Sequence, residues 1–385
     1  MNDVTTFGAI GDGIADDAPA IQSALDAGGW VYVPAGTYRL ESMLRIGART
    51  RLTLAPGAHL VRAHDDVIVT NTPAGGTVEG GYSGAPGGLV VEGGIWDVRA
   101  MERPTYSGAI AIAHASDVLI RDVTVWDVPG WHAIEINACQ NVKIRDCAFA
   151  GFWHSGDRAY SEAIQLDAMT STGVYPWGGP YDGTACDDVS ITGCRFGASG
   201  TTGTQAWPRA VGSHNLAGPR QTNIRVAGNI IDSVTDCGIQ AVEWERALIA
   251  GNQVWRSEGE GIAVCQGSMY VDVHDNQIFD SGRSGIWLND DVTQVGIRGN
   301  TIIGSGRAAN NTHYGIRGSS TVSWVIIAGN KVRRRSSGNH AAYGLSLTST
   351  VSKVVRYGND FRTSGVSGSV DDLSTSPVVS AVDAV

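Results

Sequence analysis

Charge is what this 385-residue chain has least of: Asp, Glu, Lys and Arg together make up 17% of it, and the formal net charge is −10. Basic residues gather along no face. The densest run is Arg333, Arg334 and Arg335, which reads as a solvated turn. Nucleic acid is thereby excluded as a partner, because phosphate binding rests on a concentrated positive surface. No apolar stretch approaches the roughly 20 residues that cross a bilayer, so no membrane partner is expected. The opening MNDVTTFGAIGDG has neither the basic nor the apolar region of a secretory leader; export then needs a leader already removed, or another route such as release from a lysed cell. Six cysteines occur, none in a C-x-x-C pair, and Cys139 with Cys147, like Cys186 with Cys194, lie eight apart. That spacing excludes a zinc set and favours buried free thiols.

Glycine, by contrast, is abundant at 51 residues, a composition that suits many tight turns between short strands. The second half carries an internal repeat, apolar-x-Gly-Asn-x-apolar with substitutions, centred on Asn229, Asn252, Asn276, Asn300, Asn330 and Asn359 at intervals of 23, 24, 24, 30 and 29 residues. All but the last are followed by a second short strand: GIQAV from Gly238, GIAVC from Gly261, GIWLN from Gly285, GIRGS from Gly315 and GLSLT from Gly344. Two or three strands per repeat leave no room for βαβ crossovers, which need a dozen residues each. The expected fold class is therefore all-β, a solenoid with one coil per repeat.

The same grammar extends backwards, with Val123, Cys147 and Cys194 at the turn where later coils carry asparagine. A stack of asparagines at one turn is expected to form a structural ladder of side-chain amides. Asp16 to Gly28, DDAPAIQSALDAG, has Pro19 early and Ile21, Ala24 and Leu25 at helical spacing. That predicts an amphipathic capping helix over the open N-terminal end. The expected division is 1–40 for cap and first coil, 41–363 for the solenoid, and 364–385 for a tail whose pattern is lost, either a loose cap or an oligomer contact.

FGAIGDGIADDAPAIQSAL followed by VYVPAGTY resembles the opening signature of pectate-lyase-superfamily β-helices, a group that includes polysaccharide-degrading enzymes and bacteriophage tail spikes. The resemblance covers residues 4–40 closely and, through the repeat, most of the chain to about 363. It implies a right-handed parallel β-helix, a polysaccharide partner and an extracellular setting, secreted or on a phage particle. The tail-spike side implies a homotrimer. SEAIQLD at 161–167 and GSHN at 212–215 resemble segments of phage-associated and actinobacterial members described as pectate-lyase-like or glycosyl-hydrolase-family-28-like. The GHG and RIK motifs of polygalacturonases are missing, as is the basic catalytic pattern of pectate lyases, which argues against pectin as substrate. Fold alone does not choose a reaction.

Aligning coils on Ile134, Ile164, Val211, Ile239, Ile262, Ile286 and Ile316 places Glu135, Gln165, Gly212, Gln240, Ala263, Trp287 and Arg317 in one outward column. Two residues on, the column reads Asn137, Asp167, His214, Val242, Cys265, Asn289 and Ser319, and the turn after it includes Asn215 and Glu243. Polar and ionisable groups concentrate on the coils with Glu135, Asp167, His214 and Glu243. Glycoside cleavage needs two carboxyl groups, 6.5–9.5 Å apart for inversion. Asp167 lies about 8 Å from Glu135 and about 10 Å from Glu243 between backbones, so it is the leading candidate acid, with His214 placed to orient or protonate it. Glu162 is a further candidate. Asp290 and Asp291 read as a solvated turn.

Loops at 152–162, 170–187 and 201–209 carry the expected binding groups: Trp153, His154, Asp157, Arg158, Trp177 and Trp207, joined by Gln165, Asn215 and Gln240 from the coils. They are expected to wall a groove over an exposed strand face. Three readings follow, a glycoside hydrolase, a polysaccharide lyase and a glycan-binding adhesin or spike. The acidic patch favours the hydrolase, since a lyase acting on uronates would need calcium or arginine to neutralise its substrate. No cofactor or metal is expected otherwise.

Overall fold

A computed structural model describes residues 1–75, 78–170, 175, 178–214, 218–375, 378–379 and 383–385. The chain divides into two units, Met1–Trp207 with Leu216–Gln221, and Pro208–Asn215 with Thr222–Val385. Each is a parallel β-helix whose coils contribute strands to three sheets.

In the first unit the helix Ala18–Asp26 buries Ala18, Ile21, Ala24 and Leu25, as the spacing predicts. Proline starts it without losing a needed donor. Asp17 at its start instead accepts from Ile10 N and Gly11 N at 2.6 and 3.2 Å, which ties the entry segment to the cap. The coils that follow keep strict register. In the first sheet Val118, Val142 and Val189 stack one above another, as do Ile120, Ile144 and Ile191, all essentially buried. Each such side chain contributes about 1.5–3 kcal/mol by leaving water. The second sheet stacks Val125 on Phe149 and Phe149 on Phe196, the two phenylalanine rings parallel at 5.0 Å. The third sheet carries Ile110–Ala113, Ile134–Asn137 and Glu162–Asp167 in parallel.

In the second unit the coils are close to minimal, and the asparagine turn is a continuous ladder. Asn229 Nδ2 donates to Asn252 Oδ1 at 2.9 Å, and the pattern repeats to Asn276, Asn300, Asn330 and Asn359 at 2.9–3.0 Å. Each acceptor oxygen also takes the backbone N–H of the preceding asparagine. From Asn252 onward each Nδ2 also donates to a backbone carbonyl of the coil before. The ladder ends on Asp383, which accepts from Asn359 Nδ2 and N at 2.9 and 3.0 Å.

That ending corrects the expected loss of pattern after Thr363. Gly368–Asp372 pairs with Tyr343–Leu347, and Val378–Val379 pairs with the strand Ser352–Tyr357. The small and polar residues of Gly368–Asp372 give no hydrophobic alternation to read, and Val378–Val379 is too short to show one. At the equivalent turn of the first unit Cys147 and Cys194 stand in for asparagine, each Sγ against backbone carbonyls. All six cysteines are buried and free. The hydrogen bond with Cys194, then burial, pushes the Cys147 thiol far up, so it stays protonated. Among the described residues no helix is long and apolar enough to cross a membrane.

Candidate functional site

The third sheet of the first unit sets the chemistry. Its register pairs Glu135 with Gln165 and Asn137 with Asp167, as the coil alignment predicts, while the coil before offers only Ala111 and Ala113 at those stations. Four polar side chains thus form a two-by-two patch beside two small ones. Glu135 Oε2 accepts from Trp131 Nε1 at 2.6 Å, and Oε1 accepts from Asn137 Nδ2 at 2.7 Å. Gln165 Nε2 donates to Asp167 Oδ2. Glu162, at the head of the same strand, lies by His132, whose Nδ1 is 2.9 Å from the Glu162 carbonyl oxygen and 3.7 Å from its carboxylate.

The patch is not the exposed wall that the sequence suggests. Glu135 is 1% exposed, and Asn137, Glu162, Gln165 and Asp167 are fully buried. The reason lies in the loops. The space above Ala111 and Ala113 admits Tyr175, which packs on Ala111 and Val67, and Met169, which packs on Ala113 and Ala138. Met169 and Tyr175 therefore lie over the face rather than beside it. Burial, then the negative charge of Glu135, pushes the Tyr175 hydroxyl well above its ordinary value, so it remains a neutral donor.

Over this roof opens a cavity of about 370 Å³ lined by Asp65, Asp66, Tyr106, Trp131, Arg158 and Tyr175, with Val67 and Ser107. The Arg158 guanidinium lies 4.6 Å from the Trp131 ring centre and 5.6 Å from that of Tyr106, a cation–π bracket across two flat rings. Tyr106 in turn donates to Asp157, which holds the Asp157 carboxyl below its usual value, with Ser155 adding to the effect. Trp153 meets Tyr106 edge to face at 6.4 Å. His154 Nδ1 accepts from Gly156 N and Arg158 N at 3.0 and 3.2 Å, so it shapes the loop that carries Arg158.

Trp207 takes a different place from the one expected. It is fully buried, with its ring 5.0 Å from Phe152, and a ring with no open face cannot stack on a sugar. Trp177 and Asn215 lie outside the described residues. His214, Gln240 and Glu243 belong to the second unit. There His214 is half-buried beyond the strand Arg209–Gly212, Gln240 pairs with Gly212 and Ala263, and Glu243 rims a cavity of about 360 Å³ with Gln266, Gly267, Asp290 and Asp291. Sequence reasoning missed Trp131, Tyr106, Asp65, Asp66 and His132, all outside the coil columns. It also missed an ion-pair group in the second unit, Arg209 with Asp236 at 2.7 Å, and Arg283 with Asp236 at 2.8 Å and Glu260 at 3.4 Å.

Calcium would ask for six to eight oxygen ligands. Both Glu135 oxygens are already taken by N–H donors and Asp167 accepts another, so this donor set does not fit the ion. A pair of buried carboxylates under an aromatic and guanidinium-lined opening is instead suited to proton transfer on a ring-shaped polar ligand.

A family model described as Rhamnogalacturonase A/epimerase, pectate lyase-like, matches residues 1–263. The chain belongs to this family. A second model, Periplasmic copper-binding protein (NosD), matches residues 189–374. Among relatives, Plasmin and fibronectin-binding protein A of Streptococcus pneumoniae is 31% identical over 283 residues, covering 65% of this chain and 38% of that protein. Mannuronan C5-epimerase AlgE1 of Azotobacter vinelandii is 33% identical over 133 residues, 32% of this chain and 8% of the enzyme. The chain thus spans well under half the length of these curated relatives. Among solved structures, PfbA, a surface adhesin of Streptococcus pneumoniae, superposes with a TM-score of 0.74 at 22% identity, covering 99% of this chain and 92% of the adhesin. A family 28 exopolygalacturonase of Yersinia enterocolitica gives 0.66 at 13% identity, covering 100% and 78%. The fold is accordingly a right-handed parallel β-helix.

Proposed function

We propose that the protein binds and cleaves an extracellular polysaccharide as a glycoside hydrolase, with Glu135 and Asp167 as its working carboxyl pair. The observation that carries this is their placement. They sit diagonally on adjacent paired strands, about 8 Å apart between backbones, a spacing from which two carboxyl groups can reach the separation that inversion requires. Burying carboxylates on an outward strand face costs free energy and adds nothing to the core, so their presence there speaks for chemistry.

The roles follow from the partners. Glu135 accepts from both Trp131 and Asn137, which hold its two oxygens in place; it is the base that takes a proton from water. Asp167 is the acid that gives one to the departing glycosidic oxygen. Trp131 lines the cavity and donates to Glu135, so a sugar that meets the Trp131 ring and the Arg158 guanidinium bears directly on the position of the base. Asp157 and Trp153 brace that wall from behind. The mannuronan C5-epimerase relative, 33% identical over 133 residues, supports a polysaccharide as the class of substrate. An extracellular homotrimer completes the reading, with sedimentation as its check.

A second reading, a glycan-binding adhesin without turnover, is favoured by the complete burial of Asp167. One experiment separates the two: incubation with bacterial and plant cell-wall glycans, reading reducing ends and product masses. Cleavage is expected, with Glu135→Gln and Asp167→Asn each lowering turnover about a hundredfold or more. Binding without products would favour the adhesin, ultraviolet-absorbing unsaturated ends would favour a lyase, and unchanged turnover in Asp167→Asn would remove that residue from the mechanism.

A further inference from the structure

On the first sheet of the second unit, the strands Trp244–Ala250, Met269–His274, Thr293–Arg298, Ser323–Ala328 and Ser352–Tyr357 pair in register. Near the start of each, one residue turns to a left-handed backbone: Arg246, Tyr270, Gln294, Trp324 and Lys353, all at φ between 55° and 57°. The first unit has the same station, filled by Asp117, Asn141 and Asp188 at φ 52–60°. Asn and Asp tolerate this conformation, whereas bulky side chains take it at a cost. The second unit therefore holds two large aromatics where the backbone disfavours them and where they gain no core, since Tyr270 is 47% and Trp324 56% exposed.

Tyr270, Gln294, Trp324 and Lys353 line a groove of about 430 Å³. Gln294 Nε2 donates to the Tyr270 hydroxyl at 3.3 Å, and the Lys353 ammonium sits 4.3 Å from the Trp324 ring centre. At Gly296 the absent side chain leaves the place taken by the Asp272–Arg298 ion pair, which lies along the groove floor. Arg298 is neutralised by Asp272, while Lys353 has no carboxylate partner among the described residues. The groove runs across a sheet face, whose backbone groups are already paired, so strand addition by a peptide is ruled out. A single uncompensated cation is also too little for a phosphate backbone.

We propose that this groove is a second, non-catalytic binding site for an acidic polysaccharide. One uronate ring lies against Trp324, drawing the Lys353 ammonium off the indole to pair with its carboxylate, and a second ring lies on Tyr270, two coils or about 10 Å away. Flat apolar rings meet the ring faces, and Gln294, Asp272 and Arg298 meet the hydroxyl edges. The site is separate from the Glu135 and Asp167 pair and does not depend on their activity.

The test is affinity electrophoresis of the full chain in gels containing polygalacturonate, polymannuronate or neutral xylan. It is run in the Asp167→Asn background so that the probe is not consumed, with Trp fluorescence titration by the corresponding hexasaccharides. Retention by at least one polyuronate and not by xylan is expected. Trp324→Ala and Tyr270→Ala should each weaken it about tenfold, and Lys353→Gln should weaken it while removing most of its salt dependence. Melting temperature serves as the folding control, since all three side chains are at the surface. No retention by either polyuronate, equal retention by xylan, or undiminished retention in folded Trp324→Ala would overturn the proposal.

Discussion

The two units solve the same coil problem with opposite chemistry. In the second, the outward third-sheet face carries Val242, Ala263 and Cys265, packed with Cys237 and Trp287, and the inter-sheet turn carries the amide ladder. In the first, that face carries Glu135, Asn137, Gln165 and Asp167 beneath long loops, and the turn carries thiols. Regularity resides in the second unit's turns and polarity in the first unit's face. The difference teaches that a solenoid can lodge its costly buried polar groups either where they repeat, and so satisfy one another coil by coil, or where they do not, and must be satisfied by local partners such as Trp131.

The sharpest way to break that contrast is at the turn. Asn276→Ala removes acceptors from Asn252 Nδ2 and N and donors to Asn300 and Ile249, leaving several buried groups unpaired. A loss of about 3–5 kcal/mol in denaturant unfolding is expected. Cys147→Ala at the equivalent turn should cost only about 1 kcal/mol, the transfer of a small apolar group. Equal costs would mean that the ladder is ornamental.

A smaller effect compares the two faces. Trp131→Phe keeps the ring under Arg158 but withdraws the N–H from a buried carboxylate, and should cost about 2 kcal/mol. Trp287→Phe withdraws the N–H that reaches Ser319 Oγ at 2.9 Å, a neutral pair, and should cost about 1 kcal/mol or less. If Trp131→Phe were the milder change, the Glu135 carboxylate would not depend on that donor.

The smallest effect concerns pH. At Glu92, in the first unit, burial works upward, but hydrogen bonds from Thr53, Arg51 and Arg121 prevail and hold the carboxyl lowered. At Glu260, in the second, burial prevails over Arg283 and raises it. The stabilisation from Glu92 is present above the ordinary carboxylate value of 4.5 and fades as pH falls through the lowered one. Glu260 runs the other way: the folded state holds its proton more tightly, so stability is lost as pH rises from 4.5 through the raised value. Melting-temperature differences between the protein and Glu92→Gln or Glu260→Gln should therefore change with pH in opposite senses. Parallel curves would refute the assignment.

The coils were legible because the period is written in Asn229 to Asn359, and the outward column because strand alternation is strict once that period is known. Glu135 facing Gln165, and Asn137 facing Asp167, needed nothing more. The burial of those groups was illegible because it depends on Tyr175 and Met169 folding back over Ala111 and Ala113, and loop paths follow no period. Trp131 and Tyr106 escaped notice for the same reason: they stand in connections, far apart in sequence, and meet only through Arg158. Trp207 misled because an aromatic in a polar loop reads alike whether it faces a sugar or Phe152. Gly368–Asp372 was hidden by its small and polar side chains, and Val378–Val379 by its shortness.

The amide row from Asn229 to Asp383 also has a direction, since each member gives its hydrogen forward and receives from behind. Such a row can be lengthened or shortened by whole coils, with each newcomer meeting the same chemistry on both sides, but a fractional step would leave a donor facing a donor. Descendants of this gene are thus expected to vary in size by quanta. Each gained or lost coil carries its own three outward faces as a cassette, so the Trp324 and Lys353 station could be multiplied without disturbing the acids of the other unit.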